Sequence, residues 1–192
     1  MIFIEDSLIF NAMNLDCDRF KNKYRIKSAR AEWHDYNEGV YFITICTKDR
    51  ECFFGQISDG KMILSEIGRY AEEQLKTIPE HHPQTKILLW VIMPNHIHMI
   101  VEIDGYRNST RKENINCKNQ DIQEISNKQG LLSTAICGFK QSIKCFALSH
   151  QIRFDWQTRF HDHIIRNETA FERISEYIKN NVSKWSEDCF HP

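Results

Sequence analysis

His96 and His98 stand one residue apart in VIMPNHIHMIVEI, residues 91–103, inside an otherwise apolar run. If that run is a β-strand, side chains alternate between its faces, and the two imidazoles leave from the same side. Converging imidazoles are half of a divalent-metal site, because the neutral ring nitrogen is a common metal ligand. They are also what chance supplies in a chain with nine histidines, and a second pair, His161 and His163, competes with them. Two metal patterns are excluded. Position 100 is Ile, which ends any H-x-H-x-H series. The zinc-deaminase pattern needs Glu where His98 stands and a P-C-x-x-C that the chain lacks. Nearer the C-terminus, Tyr177 and Asn181 lie four residues apart in ETAFERISEYIKNNVSKW, a spacing that stacks them on one helix face. A phenol and an amide oxygen then face the same way. Taken alone, Tyr177 reads as an aromatic residue at the edge of a core.

The elements that must position these groups follow from the apolar periodicity. YFITICT (41–47) is a β-rich run and KMIL (61–64) a short strand. Ser65 can cap a helix in which Ile67, Ala71, Leu75 and Ile78 recur at helical spacing, with Pro79 marking its end. KILLWVIM (86–93) and HIHMIVEI (96–103) read as an antiparallel hairpin across Pro94–Asn95. Residues 104–129 are polar and are expected to form an exposed, mobile insertion. Leu132, Ile136, Phe139, Ile143 and Phe146 then make one buried helical stripe, with Lys140 and Lys144 leaving on another side. FDWQTRFHDHIIR (154–166) reads as extended, with Trp156 a core residue. The last helix starts near Asn167, where Thr169 and Glu172 have capping-box spacing, and Phe171, Ile174, Ile178 and Val182 form its buried face. This order predicts an α+β domain, an antiparallel sheet backed by helices.

Composition sets the remaining bounds. A chain of 192 residues suits one domain with a substantial core, and no apolar run is long enough to span a bilayer. The first residues, MIFIEDSLIFNAMNLD, lack the basic start and uninterrupted apolar stretch of a secretory signal, so a cytoplasmic location is expected. Seven cysteines without any C-x-x-C fit reduced thiols rather than a disulfide framework or a zinc ribbon. A net charge of −1 announces no nucleic-acid partner. DRFKNKYRIKSAR (18–30) does so locally, with Arg19, Lys21, Lys23, Arg25, Lys27 and Arg30 against one acid and aromatic residues between them. A solvated basic segment is the competing reading.

P-N-H-I-H-M-I, G-F-K, W-Q-T-R-F-H-D-H-I-I-R and E-Y-I-K-N-N, with YFITICT before them, occur in an order that resembles the single-tyrosine HUH transposases of the IS200-like type. The nearest branch is the REP-associated tyrosine transposases, and the likeness runs from about Arg25 through Trp185. The resemblance implies a ferredoxin-like antiparallel sheet of the HUH endonuclease type in a single domain over 1–192, with a basic arm at about 18–30 and the tyrosine helix at about 168–182. It implies that His96, His98 and Asn181 bind Mg²⁺ or Mn²⁺ and that Tyr177 is the nucleophile, forming a 5′-phosphotyrosine. The implied partner is single-stranded DNA with a hairpin, REP-like or from a transposon end, handled by a monomer or homodimer. Candidate DNA contacts are Arg19, Lys21, Lys23, Arg25, Lys27, Lys140, Lys144, Arg159 and Arg166. The sequence departs from the pattern at Val182, where proline is usual, and in the insertion at 104–129. A DNA-binding or regulatory protein keeping the fold without the reaction, and a relaxase or replication initiator, are the alternatives.

Overall fold

The computed structural model describes the backbone at 19–20, 24–25, 36–105 and 120–191, and side chains at 36–105 and 130–191. The chain divides into two units, Met1–His34 and Asp35–Pro192. In the first, β1 (Arg19–Phe20) pairs antiparallel with β2 (Tyr24–Arg25), setting Arg19 opposite Arg25. Lys21, Lys23 and Lys27 of the basic arm lie outside the described residues, as does 106–119 of the polar insertion.

The second unit is built on four antiparallel strands in the order β6-β7-β3-β8, where β3 is Glu38–Cys46, β6 Thr85–Ile92, β7 His96–Asp104 and β8 His161–Ile165. A short hairpin, β4 (Gly55–Ser58) with β5 (Lys61–Leu64), precedes helix α1 (Glu66–His81). The remaining helices are α2 (Gln120–Ser149) and α3 (Glu168–Asn180). The α+β expectation holds: an antiparallel four-stranded sheet is backed by three helices.

The central strands β3 and β7 are buried on both faces over most of their length, so their sequences carry apolar residues on both sides rather than alternating, with Thr44, His96 and His98 as the buried polar exceptions. One face carries Tyr41, Ile43, Ile45, Ile97, Met99, Val101 and Ile103, which form the main core with Ile67, Ala71 and Leu75 of α1 and Leu132 and Ile136 of α2. The other face carries Phe42 and Ile100 into a smaller cluster with Ile165, Ile174 and Ile178 beneath α3. The same alternation puts His96 and His98 on that second face. Trp156 is a core residue, as its setting suggests, with its indole N–H donating to the Lys140 carbonyl at 2.9 Å.

Three local expectations are corrected. Helix α1 starts at the Ser65 cap, whose hydroxyl accepts from the Gly68 N–H at 3.0 Å, but it runs past Pro79 to His81. A proline so near the end removes one backbone bond without a full turn following it to disrupt. Helix α3 is capped by Asn167, whose side-chain oxygen accepts from the Ala170 N–H at 2.8 Å, rather than by Thr169. The polar stretch is shorter than its composition suggests, because β7 reaches Asp104 and helical backbone resumes at Gln120. Gly130 interrupts α2 with φ 67° and ψ 151°, a conformation open to glycine, and the Asn37 side chain accepts from the Leu131 N–H where the helix restarts.

Removing the β7 side chains that face the main core should loosen the strand that carries both histidines. Ile97→Ala is expected to cost about 2–5 kcal/mol, whereas Leu148→Ala, on an exposed helix face, should cost less than about 0.5 kcal/mol. Urea denaturation of the two variants checks both.

Candidate active site

Antiparallel pairing sets Cys46 opposite His96 and Thr44 opposite His98, which fixes what each imidazole meets. Both rings are fully buried, 4.5 Å apart between centroids. His98 Nδ1 lies 2.8 Å from the Thr44 hydroxyl, and His98 Nε2 lies 3.2 Å from the Tyr177 hydroxyl. Helix α3 delivers that phenol from across the second sheet face, its ring edge-on to Phe42 at 6.1 Å between centroids. His96 Nδ1 lies 2.9 Å from the Asn95 side-chain oxygen. Asn181, the C-cap of α3, is buried, and its amide donates to Asp188 at 3.3 Å.

Asp188 comes from beyond that helix and was not predicted. It forms with His96 and His98 a group whose potential ligand atoms all lie within 4.8 Å of one another. Helix α3 ends at Asn180, so the helical spacing that relates Tyr177 to Asn181 does not carry on to position 188 and does not signal it. The chain is folded back to make this contact: the Phe190 N–H donates to Asp188 at 2.8 Å, and the Phe190 ring lies against His96, tilted by 38°, at 4.5 Å between centroids.

Burial dominates the electrostatics. It pushes the His98 imidazole down to about 3 and holds His96 well below the ordinary histidine range, so both rings are neutral at neutral pH. Burial, and then the Asp188 carboxylate, raises the Tyr177 phenol, against a hydrogen bond from Asn181. Cys46 is held as a neutral thiol, its pKa pushed up to about 12 by burial. Three buried side-chain polar atoms have no hydrogen-bond partner among the described residues: Ser175 Oγ on α3 and, at this site, His96 Nε2 and Asn181 Oδ1. Buried polar atoms are rarely left so. Two neutral imidazoles, a carboxylate and an amide oxygen are a mixed N/O donor set that suits a divalent cation such as Mn²⁺, and a cation would satisfy the orphaned atoms.

The sequence candidates thus divide. His96, His98, Tyr177 and Asn181 are brought together. The ammonium of Lys140 donates to the carbonyls of Gln157 at 2.7 Å and Arg159 at 3.4 Å, and that of Lys144 donates to the Phe154 carbonyl at 2.7 Å and pairs with Asp155 at 3.1 Å. Both lysines therefore pin the 154–159 segment to α2. Arg159 and Arg166 are exposed. His161 pairs with Thr44 on the side opposite His98, so β3 separates the two histidine pairs; no third ligand joins His161 and His163 among the described residues.

This sheet with its helices is also the fold of a solved REP-associated tyrosine transposase bound to a REP hairpin, with a TM-score of 0.53 at 17% identity, covering 82% of this chain and 74% of that one. In sequence, the chain is 35% identical over 164 residues to an uncharacterized protein of Haemophilus influenzae, covering 84% of this chain and 91% of the relative, and it belongs to that protein's family. No protein-family model matches the sequence. No helix among the described residues is long and apolar enough to cross a membrane.

The buried histidines make stability depend on pH. Their native pKa values lie below the unfolded value near 6.5, so between the two the unfolded chain binds more protons, and stability falls as pH falls. With metal chelated, the free energy of unfolding should be level at about pH 7–8, drop from about pH 6.5 towards the native His98 value near 3, and fall again in alkali, where the unfolded chain releases the protons that burial holds on Cys46 and Tyr177. The slope should flatten in His98→Gln, as denaturation at a series of pH values would reveal.

Proposed function

We propose that the protein is a metal-dependent single-strand DNA endonuclease and strand transferase of the transposase type. The observation that carries this reading is the Tyr177 hydroxyl, 3.2 Å from Nε2 of His98, one of two buried imidazoles that share a site with the Asp188 carboxylate. Nothing in a purely structural core calls for two neutral histidines, an aspartate and a phenol at one point. The shared fold with a transposase solved on a REP hairpin supports hairpin-bearing single-stranded DNA as the substrate class.

In this reading Tyr177 is the nucleophile. Its oxygen attacks a backbone phosphorus, a tyrosine–phosphate bond forms at the 5′ side, and the bond from phosphorus to the 3′ oxygen breaks. The proton lost by the phenol balances the one gained by the departing 3′ oxygen, and attack by a 3′ hydroxyl reverses the step without ATP. His96, His98 and Asp188 would hold Mg²⁺ or Mn²⁺, with Asn181 beside them. A divalent ion there would supply positive charge to the phosphate and to an otherwise reluctant phenol. Phe42 and the ring of His98 hold the phenol in place, and Asn181 donates to its oxygen, favouring the phenolate. The basic arm at about 18–30, with Arg159 and Arg166, is proposed to contact phosphates, which position the strand without reading its sequence. Lys140 and Lys144 would serve indirectly, by building the segment that leads into β8.

The test uses labelled single-stranded DNA carrying a hairpin, with Mn²⁺. The wild-type protein should form a covalent adduct that maps to Tyr177 by mass spectrometry. Tyr177→Phe should bind the DNA as well as wild type but lose the adduct by on the order of 10³-fold or more. An undiminished adduct in that variant would reassign the nucleophile, and binding without an adduct in the wild type would favour a regulatory DNA-binding protein. Neutralising Arg19, Lys21, Lys23, Arg25 and Lys27 together should weaken binding and reduce the salt slope by about 0.7 for each phosphate left without a cationic partner. Titrations at several salt concentrations measure this.

A further inference from the structure

We propose that Asn95 is a positioning residue that fixes the tautomer of His96 and so leaves Nε2 as a lone pair aimed at the metal site. The inference rests on the functional reading above, and deepens it.

The two ends of an amide side chain have the same shape, and their surroundings decide which is which. One end of Asn95 faces two backbone carbonyl oxygens, that of Arg50 at 3.1 Å and that of Phe190 at 2.7 Å. Carbonyl oxygens only accept, so this end is the NH₂ group, with its two protons used. The other end is then an oxygen, 2.9 Å from His96 Nδ1. An amide oxygen also only accepts, so the proton of the neutral imidazole sits on Nδ1, and Nε2 carries the lone pair. That Nε2 is one of the buried atoms without a partner among the described residues. An unconstrained imidazole in water favours the opposite tautomer, which would present an N–H where a cation should bind.

Asn95 is itself held rigidly. Its side chain is buried, and its backbone carbonyl accepts from both the N–H and the hydroxyl of Thr47, each at 2.9 Å. The bond to Phe190 also fastens the returning C-terminal stretch whose Phe190 N–H grips Asp188. One amide therefore orients a ring ligand and anchors the segment that brings the carboxylate. His98 has no such dictation, because its Nδ1 faces the Thr44 hydroxyl, which can donate or accept.

Long-range proton–nitrogen NMR of histidine-labelled, metal-free protein reads the tautomer, and Mn²⁺ paramagnetic resonance reads affinity. His96 should be protonated on Nδ1 in the wild type. Asn95→Ala should shift it towards the Nε2-protonated form and weaken Mn²⁺ binding by about 10–100-fold. A wild-type His96 protonated on Nε2 would overturn the assignment, as would Asn95→Ala with unchanged tautomer and affinity. If Asn95→Ala does not fold, the wild-type spectrum decides, since it reads the His96 tautomer directly. If the wild type binds no Mn²⁺, the metal reading fails, while the tautomer still judges Asn95.

Discussion

A β-strand buried on both faces must present its side chains alternately to two interiors, and β7 uses that constraint to carry a core and a reactive site at once. Ile97, Met99, Val101 and Ile103 enter the main core, and the intervening His96 and His98 enter the space under α3. A one-residue slip in its pairing with β3 would exchange the two sets and place imidazoles among isoleucines. Register is therefore the condition for everything else. The apolar face enforces it, and the turn at Pro94–Asn95 fixes its phase, with the Met93 N–H donating to the His96 carbonyl at 2.8 Å.

Burial then sets the chemistry. Removing two imidazoles from water keeps them neutral and so able to ligate, but removing a phenol from water keeps it protonated and a poor nucleophile. Both effects have the same cause, and one positive charge placed among these groups would resolve both. It would give the lone pairs a partner and lower the cost of a phenolate. The same logic accounts for Asp188, since a carboxylate beside a buried phenol raises the phenol further unless a cation stands between their charges.

Much of this was legible from periodicity, because alternation along a strand and the four-residue spacing on a helix are local rules. They place His96 with His98, and Tyr177 with Asn181, before any tertiary contact is known. What could not be read depends on pairings between distant residues. Thr44 meets His98 through strand register across 54 positions, and Asp188 returns to the site from beyond the end of α3, where no period continues. Lys140 and Lys144 resemble surface cations in sequence, because nothing local reveals that the carbonyls of 154–159 will receive them. Asn95 looks like a turn residue, and it is one, but its side-chain bonds need Arg50 and Phe190.

The central claim is that His96, His98 and Asp188 form one cation site beside Tyr177. Anomalous diffraction from crystals grown with Mn²⁺ tests it most directly. The account predicts one dominant peak, in ligand contact with Nε2 of both His96 and His98 and with the Asp188 carboxylate. A dominant peak at His161 and His163, or none between His96 and His98 at saturating Mn²⁺, would contradict it.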